Sequence, residues 1–226
     1  MVWIGQAWAR GGGGGSSSSS SSSGSGRSGD GASLGEFIFW MLVLGALTLY
    51  GLHQKKKKVA ATQKKITSAA QKDAAWDSEG LKKRISEVFY RFQKDWSALD
   101  AEAMKSYLMP EYQKRMALEL FVLKEKNRKN IMKSVQLNSV CILEINDAKN
   151  DAEDTFIAEI GASANDILWD VKNKKELYRD QSSFVEYWHF KRDQNIWKLD
   201  HIRQATESSR FLENKIQAFA QKNKFY

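Results

Sequence analysis

The sequence predicts an α+β domain in which N-terminal helices pack on an antiparallel sheet of about four strands. From residue 78 to about residue 130, apolar side chains recur every three or four residues, and beyond that point they alternate with period two. Helices followed by strands are typical of α+β folds. A third observation, sixteen uncharged residues at 37–52, predicts one transmembrane helix ahead of this domain.

The predicted transmembrane helix covers residues 34–53. Sixteen helical residues rise about 24 Å, which is short of the roughly 30 Å hydrocarbon core, so the flanking residues must supply the rest. Four lysines, Lys55 to Lys58, follow directly and by the positive-inside rule stay on the cytoplasmic or matrix side. A buried core helix is the alternative interpretation of the same segment.

Composition divides the remaining chain. Residues 1–33 are rich in Gly and Ser and are expected to be disordered. Residues 54–77 form a basic juxtamembrane stalk, 78–205 the folded domain, and 206–226 a closing amphipathic helix.

The net charge of the chain is +8, and residues 53–76 hold seven lysines against one aspartate. This excess next to the predicted span favours anionic lipid headgroups as the partners of Lys55, Lys56, Lys57 and Lys58. Because a nucleic-acid face needs its positive charge on the folded domain, nucleic acid is disfavoured as a partner. Alternatively, the four lysines only set the orientation of the predicted helix in the membrane.

The helical segments have recognisable ends. Ser78 is expected to cap a helix whose apolar face extends to Trp96. A short helix follows at 101–108, and Pro110 suits the first turn of a third helix that runs to about Asn130. The inward positions expected on that third helix are Met116, Leu120, Phe121 and Leu123.

Four strands are expected beyond the helices. The first alternates from Val135 to Ile145, with Cys141 on its buried face and Val140 and Ile142 on the other. The second extends over 153–171, where Gly161 suggests a bulge or bend. A polar loop at 172–180 then leads to the last two strands, at 184–191 and 196–204.

Residues of the last two strands match a family signature. Glu186, Trp188, Phe190 and Arg192 form E-x-W-x-F-x-R, and Trp197, Leu199 and Ile202 form W-x-L-x-x-I. The chain resembles the Tim forty-four-like family in these motifs and in an upstream helical segment, over about residues 78–205. The matching upstream residues are Phe92, Trp96, Asp100, Leu108, Pro110 and Glu111.

The resemblance implies a fold related to the nuclear transport factor two-like cone, in which helices cover a curved sheet and leave an apolar pocket. Carried over by position, Trp188, Phe190, Trp197 and Leu199 would line this pocket or binding surface, with Tyr187 beside them. Core packing alone is the alternative role, because aromatic side chains supply much of the buried area of a small domain.

The resemblance also implies a function. We expect a non-catalytic, membrane-anchored scaffold that binds a protein partner at the inner membrane, in protein translocation or envelope assembly. A lipid-binding module with an apolar pocket is the alternative. The expected location is the bacterial inner membrane, single-pass, with the C-terminal domain facing the cytoplasm, or otherwise the mitochondrial inner membrane. Whether the chain forms a homo-oligomer is left open.

The titratable residues do not favour an enzyme, a metal site or a cofactor. The three histidines, His53, His189 and His201, are scattered along the sequence. Regular strand alternation would place Asp200 and His201 on opposite faces, where they cannot act as an acid/base pair. The glycine run Gly11 to Gly15 lies in the Gly/Ser-rich segment with no predicted strand or helix beside it, so it does not indicate a phosphate-binding loop.

Overall fold

The structure, a computed structural model, describes residues 34–204. Within residues 34–52 it gives the helical backbone and the side chains of Leu42, Val43, Ala46, Leu49 and Tyr50. The expected disordered segment 1–33 and the expected helix 206–226 lie outside the described residues.

Helices precede strands, as predicted. Within residues 34–204, the four α-helices are α1 (Leu34–Ala70), α2 (Ser78–Ala98), α3 (Ala101–Met104) and α4 (Pro110–Glu125). The five strands in the same range are β1 (Arg128–Asn146), β2 (Thr155–Asp170), β3 (Lys175–Asp180), β4 (Ser183–Asp193) and β5 (Ile196–Gln204). Single 3-10 turns at Ala74–Trp76 and Asp151–Glu153 complete the described elements.

All of these strands pair antiparallel in the order β1-β2-β4-β5, and β3 pairs with the C-terminal half of β2. The α+β prediction is therefore confirmed, with one strand more than expected. The additional strand, β3, lies in the segment predicted to be a polar loop. Its side chains are almost all exposed, so it has no apolar alternation, and backbone pairing with β2 holds it in the sheet.

One face of the sheet, called the inner face, packs against α2. Phe89 and Phe92 of α2 contact Trp188 of β4, each with ring centroids 5.7 Å apart. Phe156 of β2 stacks on Phe190 of β4 at 4.7 Å. All five side chains are at most 1% exposed, so this aromatic layer forms the centre of the core.

The helix ends differ in detail from the expectation. The cap of α2 is Asp77, whose carboxylate accepts the Gly80 N–H at 2.7 Å, and not Ser78. Helix α4 ends at Glu125, before Asn130, because Asn130 already lies in β1. Phe121, expected to point inward on α4, is 57% exposed.

Strand β1 does not alternate as predicted. Three register shifts against β2, at 133–136, 137–139 and 142–144, each insert an extra residue in β1. The bulges change which residues face inward, so Val140 and Ile142 pack against the core. Opposite the second bulge is Gly161, where an added Cβ would lie 2.6 Å from Ser139 Oγ, in agreement with the bulge expected at that glycine.

Helix α1 differs most from the expectation. It continues without a break from Leu34 to Ala70, through the boundary predicted between a span and a stalk. Thr62, Ile66 and Ala69 are buried, and Thr62 Oγ1 donates to the Leu143 carbonyl at 2.8 Å, so the expected stalk is part of the fold.

The transmembrane helix expected over 34–53 is not found. None of the helices in the described part of the chain is long and apolar enough to cross a bilayer. The sixteen uncharged residues fall short of the roughly twenty that a spanning helix needs, and the same helix continues into the lysine run.

Candidate functional site

Four of the predicted pocket residues lie in the core. Trp188, Phe190 and Leu199 are 0% exposed, and Trp197 is 6% exposed. Trp188 Nε1 donates to Glu186 Oε2 at 3.0 Å, and Trp197 Nε1 donates to the Ala75 carbonyl at 2.9 Å. Both indole N–H groups therefore have hydrogen-bond partners inside the fold, and the four side chains are part of the packed core.

The fifth predicted residue, Tyr187, points to the opposite face of the sheet, called the outer face. It lies half-buried beside Glu159, and burial raises the pKa of its hydroxyl. The structure therefore separates Tyr187 from the other four, because neighbouring residues of a strand point to opposite faces.

The structure also divides the lysine run. Lys55 Nζ lies 2.6 Å from Glu159 Oε1, and Lys58 Nζ lies 3.6 Å from Glu144 Oε2, so both contact the sheet. The hydrogen bond to Glu159 raises the pKa of Lys55. Lys56 and Lys57 are exposed, and they alone keep the geometry expected of headgroup ligands.

A groove of about 350 Å³ opens between β1, β2 and β3. Its apolar lining consists of Ile131, Ile167 and Trp169, and its polar lining of Lys129, Lys133, Glu176 and Arg179; we call this site the basic groove. Cross-strand pairing explains the composition, because Ile131 lies opposite Ile167 and Lys129 lies opposite Trp169.

The charges in the basic groove are partly compensated. Arg179 Nε donates to Glu176 Oε1 at 2.9 Å, and Arg179 Nη1 donates to Asn165 Oδ1 at 3.4 Å. The hydrogen bond from Arg179 lowers the pKa of Glu176, so this carboxylate stays ionised at neutral pH. Lys129 and Lys133 leave a net positive charge in the groove.

The same end of the sheet is strongly basic. The Val171 N–H donates to the Asn127 carbonyl at 2.8 Å, which joins the end of α4 to the β2–β3 turn. Residues 124–133 and 172–179 thus meet, and together they hold nine basic residues against two acidic ones. The nine are Lys124, Lys126, Arg128, Lys129, Lys133, Lys172, Lys174, Lys175 and Arg179.

The basic groove was not predicted from the sequence. The two basic runs are visible in the sequence, but about forty residues separate them and only strand pairing brings them together. The prediction that the positive charge lies beside the membrane segment therefore described only part of its distribution.

The histidines of the sheet are also arranged differently from the prediction. His189 and His201 are scattered in sequence but lie directly opposite each other on β4 and β5, with ring centroids 3.9 Å apart. Asp200 has no opposite residue on β4, because the register shifts there. This bulge places its Oδ2 2.8 Å from His201 Nδ1, which contradicts the expected opposite orientation of these two side chains.

Three carboxylates also cluster at the other end of the sheet. Ligand oxygens of Asp73, Asp151 and Asp154 lie within 4.8 Å of one another. The guanidinium of Arg192 contacts all three, so arginine already provides the positive charge that the cluster requires.

No family model matches the chain, and no curated protein matches it. Among solved structures, the chain is similar to the crystal structure of the intermembrane space region of the chloroplast protein ARC6. The identity is 13%, the TM-score is 0.41, and the similarity covers 53% of this chain and 92% of that chain. So low a TM-score carries no argument about function.

Proposed function

We propose that this protein is a non-catalytic, membrane-associated interaction domain that binds an acidic, partly apolar segment of a partner protein in the basic groove. The observation that carries the proposal is the combination of Trp169, Ile131 and Ile167 with a positively charged rim in one groove of about 350 Å³. Apolar surface supplies affinity, and complementary charge supplies orientation and encounter rate.

The groove chemistry favours a peptide with alternating character. Its apolar lining is suited to a Leu or Phe side chain, whereas Lys129 and Lys133 attract carboxylates on either side. Ile131 and Trp169 are only half-buried in this groove, so apolar surface stays accessible between the charged side chains. Exposed apolar side chains next to charged residues are typical of protein-binding surfaces.

The second part of the proposal is that α1 attaches the domain to a membrane surface, with the inner membrane as the expected location. In its N-terminal half, Leu42 and Leu49 are each 68% exposed and Tyr50 is 63% exposed. Exposed Lys56 and Lys57 follow on the same helix and would lie near anionic headgroups. The contacts of Thr62 and Lys55 with the sheet would hold the domain in a fixed orientation to that surface.

The alternative, a lipid-binding module, has less support. The residues expected to line an acyl-chain pocket pack in the core, and Lys55 and Lys58 pair with the sheet. The Tim forty-four-like resemblance stays a prediction, and the proposed scaffold role agrees with it.

The groove is tested with a fluorescein-labelled synthetic peptide that alternates acidic residues with Leu and Phe, titrated with the full chain in mild detergent. The double variant Lys129→Glu with Lys133→Glu should weaken binding at least tenfold, and rising salt should weaken binding to the unmodified chain. The matched control is Lys56→Glu with Lys57→Glu, which makes the same charge change on α1 and should leave peptide affinity unchanged.

Two results would overturn the groove proposal. One is an equal loss of peptide affinity in the groove variant and the α1 variant, which would show that peptide binding depends only on the net charge of the chain. The other is tighter binding of single-stranded poly(U) that the groove variants abolish, which assigns the groove to nucleic acid.

Membrane attachment is tested separately by flotation with vesicles that contain anionic lipid. Leu42→Glu with Leu49→Glu should abolish flotation while peptide binding is retained. Flotation that persists in this variant but disappears in the Lys56→Glu, Lys57→Glu variant would assign attachment to charge and overturn the role of the apolar segment.

A further inference from the structure

We propose that His189 and His201 form a binding site for a transition-metal ion of the Zn²⁺ or Cu²⁺ type, separate from the basic groove and independent of its function. Imidazole nitrogen is a ligand that suits both ions. The two residues are direct cross-strand partners on β4 and β5, so the rigid sheet fixes their separation.

The hydrogen bond of His201 determines which nitrogen is available. Its Nδ1 lies 2.8 Å from Asp200 Oδ2, and because an ionised carboxylate only accepts, Nδ1 carries the proton. In the neutral ring, Nε2 then has a free lone pair. Nε2 is buried and has no hydrogen-bond partner among the described residues.

This arrangement is the one that metal-binding histidines use. Such a histidine typically donates its second ring N–H to a carboxylate, which fixes the tautomer and makes the ligating nitrogen more basic. A buried imidazole nitrogen without a partner is otherwise unfavourable, because its lone pair has lost its hydrogen bond to water and no protein donor replaces that bond. A bound metal ion satisfies it.

His189 is also suited to act as a ligand. Its ring is half-buried, lies directly across the two strands from His201 and borders the same cavity. An imidazole in this position offers a second nitrogen ligand to an ion held at His201.

The surroundings provide space for an ion and its water ligands. A cavity of about 150 Å³ borders both histidines, and Glu144 and Asn146 of β1 also line it. Ligand nitrogens on a tetrahedral Zn²⁺ lie about 3.4 Å apart, given bonds of about 2.0–2.1 Å. The two rings stack with centroids 3.9 Å apart and planes 19° apart, so the ring of His189 turns out of the stack to bring its nitrogen and His201 Nε2 onto one ion. Water molecules complete the coordination, because Glu144 pairs with Lys58.

The experiment is isothermal titration of the full chain in mild detergent with ZnCl₂ and, separately, CuSO₄, after dialysis against chelator. We expect one ion per chain with micromolar affinity. His189→Ala and His201→Gln should each weaken binding at least tenfold, and Asp200→Asn should weaken it by about 10- to 100-fold through loss of the supporting carboxylate. His53→Ala, which changes the remaining histidine on α1, is the matched control and should bind as the unmodified chain does.

A second readout guards against misfolding: the Cu²⁺ complex should show nitrogen hyperfine splitting in electron paramagnetic resonance, and His201→Gln should remove one of two nitrogens. Circular dichroism establishes that each variant is folded. The proposal is overturned if neither ion binds, if binding persists in the His189→Ala, His201→Gln double variant, or if it disappears only when Asp73 and Asp151 of the carboxylate cluster are changed to Asn.

Discussion

The guanidinium of Arg192 lies 3.2 Å from the carboxylate of Asp154, and both side chains are almost fully buried. The same guanidinium also contacts Asp73, which follows α1 in the chain. A single arginine of β4 therefore joins the β1–β2 connection and the end of the N-terminal helix. The strand motif that includes Arg192 thus has a clear structural role.

Removing one partner of this buried pair should be costly. Arg192→Met leaves the Asp154 carboxylate buried without its countercharge, and we expect a loss of about 3–5 kcal/mol in the free energy of unfolding. Urea unfolding followed by tryptophan fluorescence measures it. Lys82→Met, which removes an exposed ion pair with Glu79, is the control and should change stability by less than about 0.5 kcal/mol. Equal effects of both changes would contradict the role assigned to Arg192.

Helix α1 should contribute to the stability of the domain. Ile66 is 1% exposed against the core, so Ile66→Ala should cost about 2–5 kcal/mol through lost burial and the cavity left behind. Lys65→Ala on the exposed side of the same helix should be nearly neutral. Chemical denaturation compares the two variants. If Ile66→Ala is as mild as Lys65→Ala, the segment 54–77 is a stalk after all.

Gly161 should be required because of Ser139. An alanine Cβ at 161 would lie 2.6 Å from Ser139 Oγ, so Gly161→Ala should destabilise the fold by about 1–2 kcal/mol. Combining it with Ser139→Ala removes the hydroxyl and should restore most of the stability. A double-mutant cycle of unfolding free energies tests this coupling. Additive effects would indicate a backbone preference at Gly161 in place of the clash.

The free energy of unfolding should depend on pH because of the half-buried His189. Its pKa in the folded chain is about 4, below the ordinary value of 6.5, so between these values the unfolded chain binds the proton more readily. Stability from this group is therefore fully present above pH 6.5 and falls as the pH decreases toward 4. Because the ring is only half-buried, we expect a loss of about 1 kcal/mol. His189→Gln should flatten this part of the stability curve, measured by urea unfolding at pH 7 and pH 4.5, whereas His53→Gln should not.

Periodicity predicted the elements whose burial is regular. Helix α2 and strands β2, β4 and β5 each bury one side along most of their length, so the spacing of their apolar residues was sufficient to predict them. Periodicity did not predict β3, because its side chains are almost all exposed and only backbone pairing holds the strand in the sheet. It also failed along β1, where bulges move side chains between faces without changing the composition of the strand.

The candidate sites were predicted less well, for a related reason. Trp188 and Phe190 are prominent in the sequence because they are large and apolar, and that property places them in the core. The basic groove and the histidine pair consist of residues that are distant in sequence and adjacent only across strands. No local pattern indicates that Lys129 lies opposite Trp169 or that His189 lies opposite His201.

The sequence by itself determined that helices come before an antiparallel sheet, and it determined the residues at which most of these helices begin. It also determined that an uncharged helical segment precedes a lysine run. These properties depend on neighbours within a few residues, through helical or strand periodicity and capping. Only the tertiary structure decided that α1 packs on the sheet, that positive charge concentrates at one end, and that a bulge brings Asp200 onto His201. Those outcomes depend on strand register, in which a single inserted residue reverses the faces and brings distant side chains into contact.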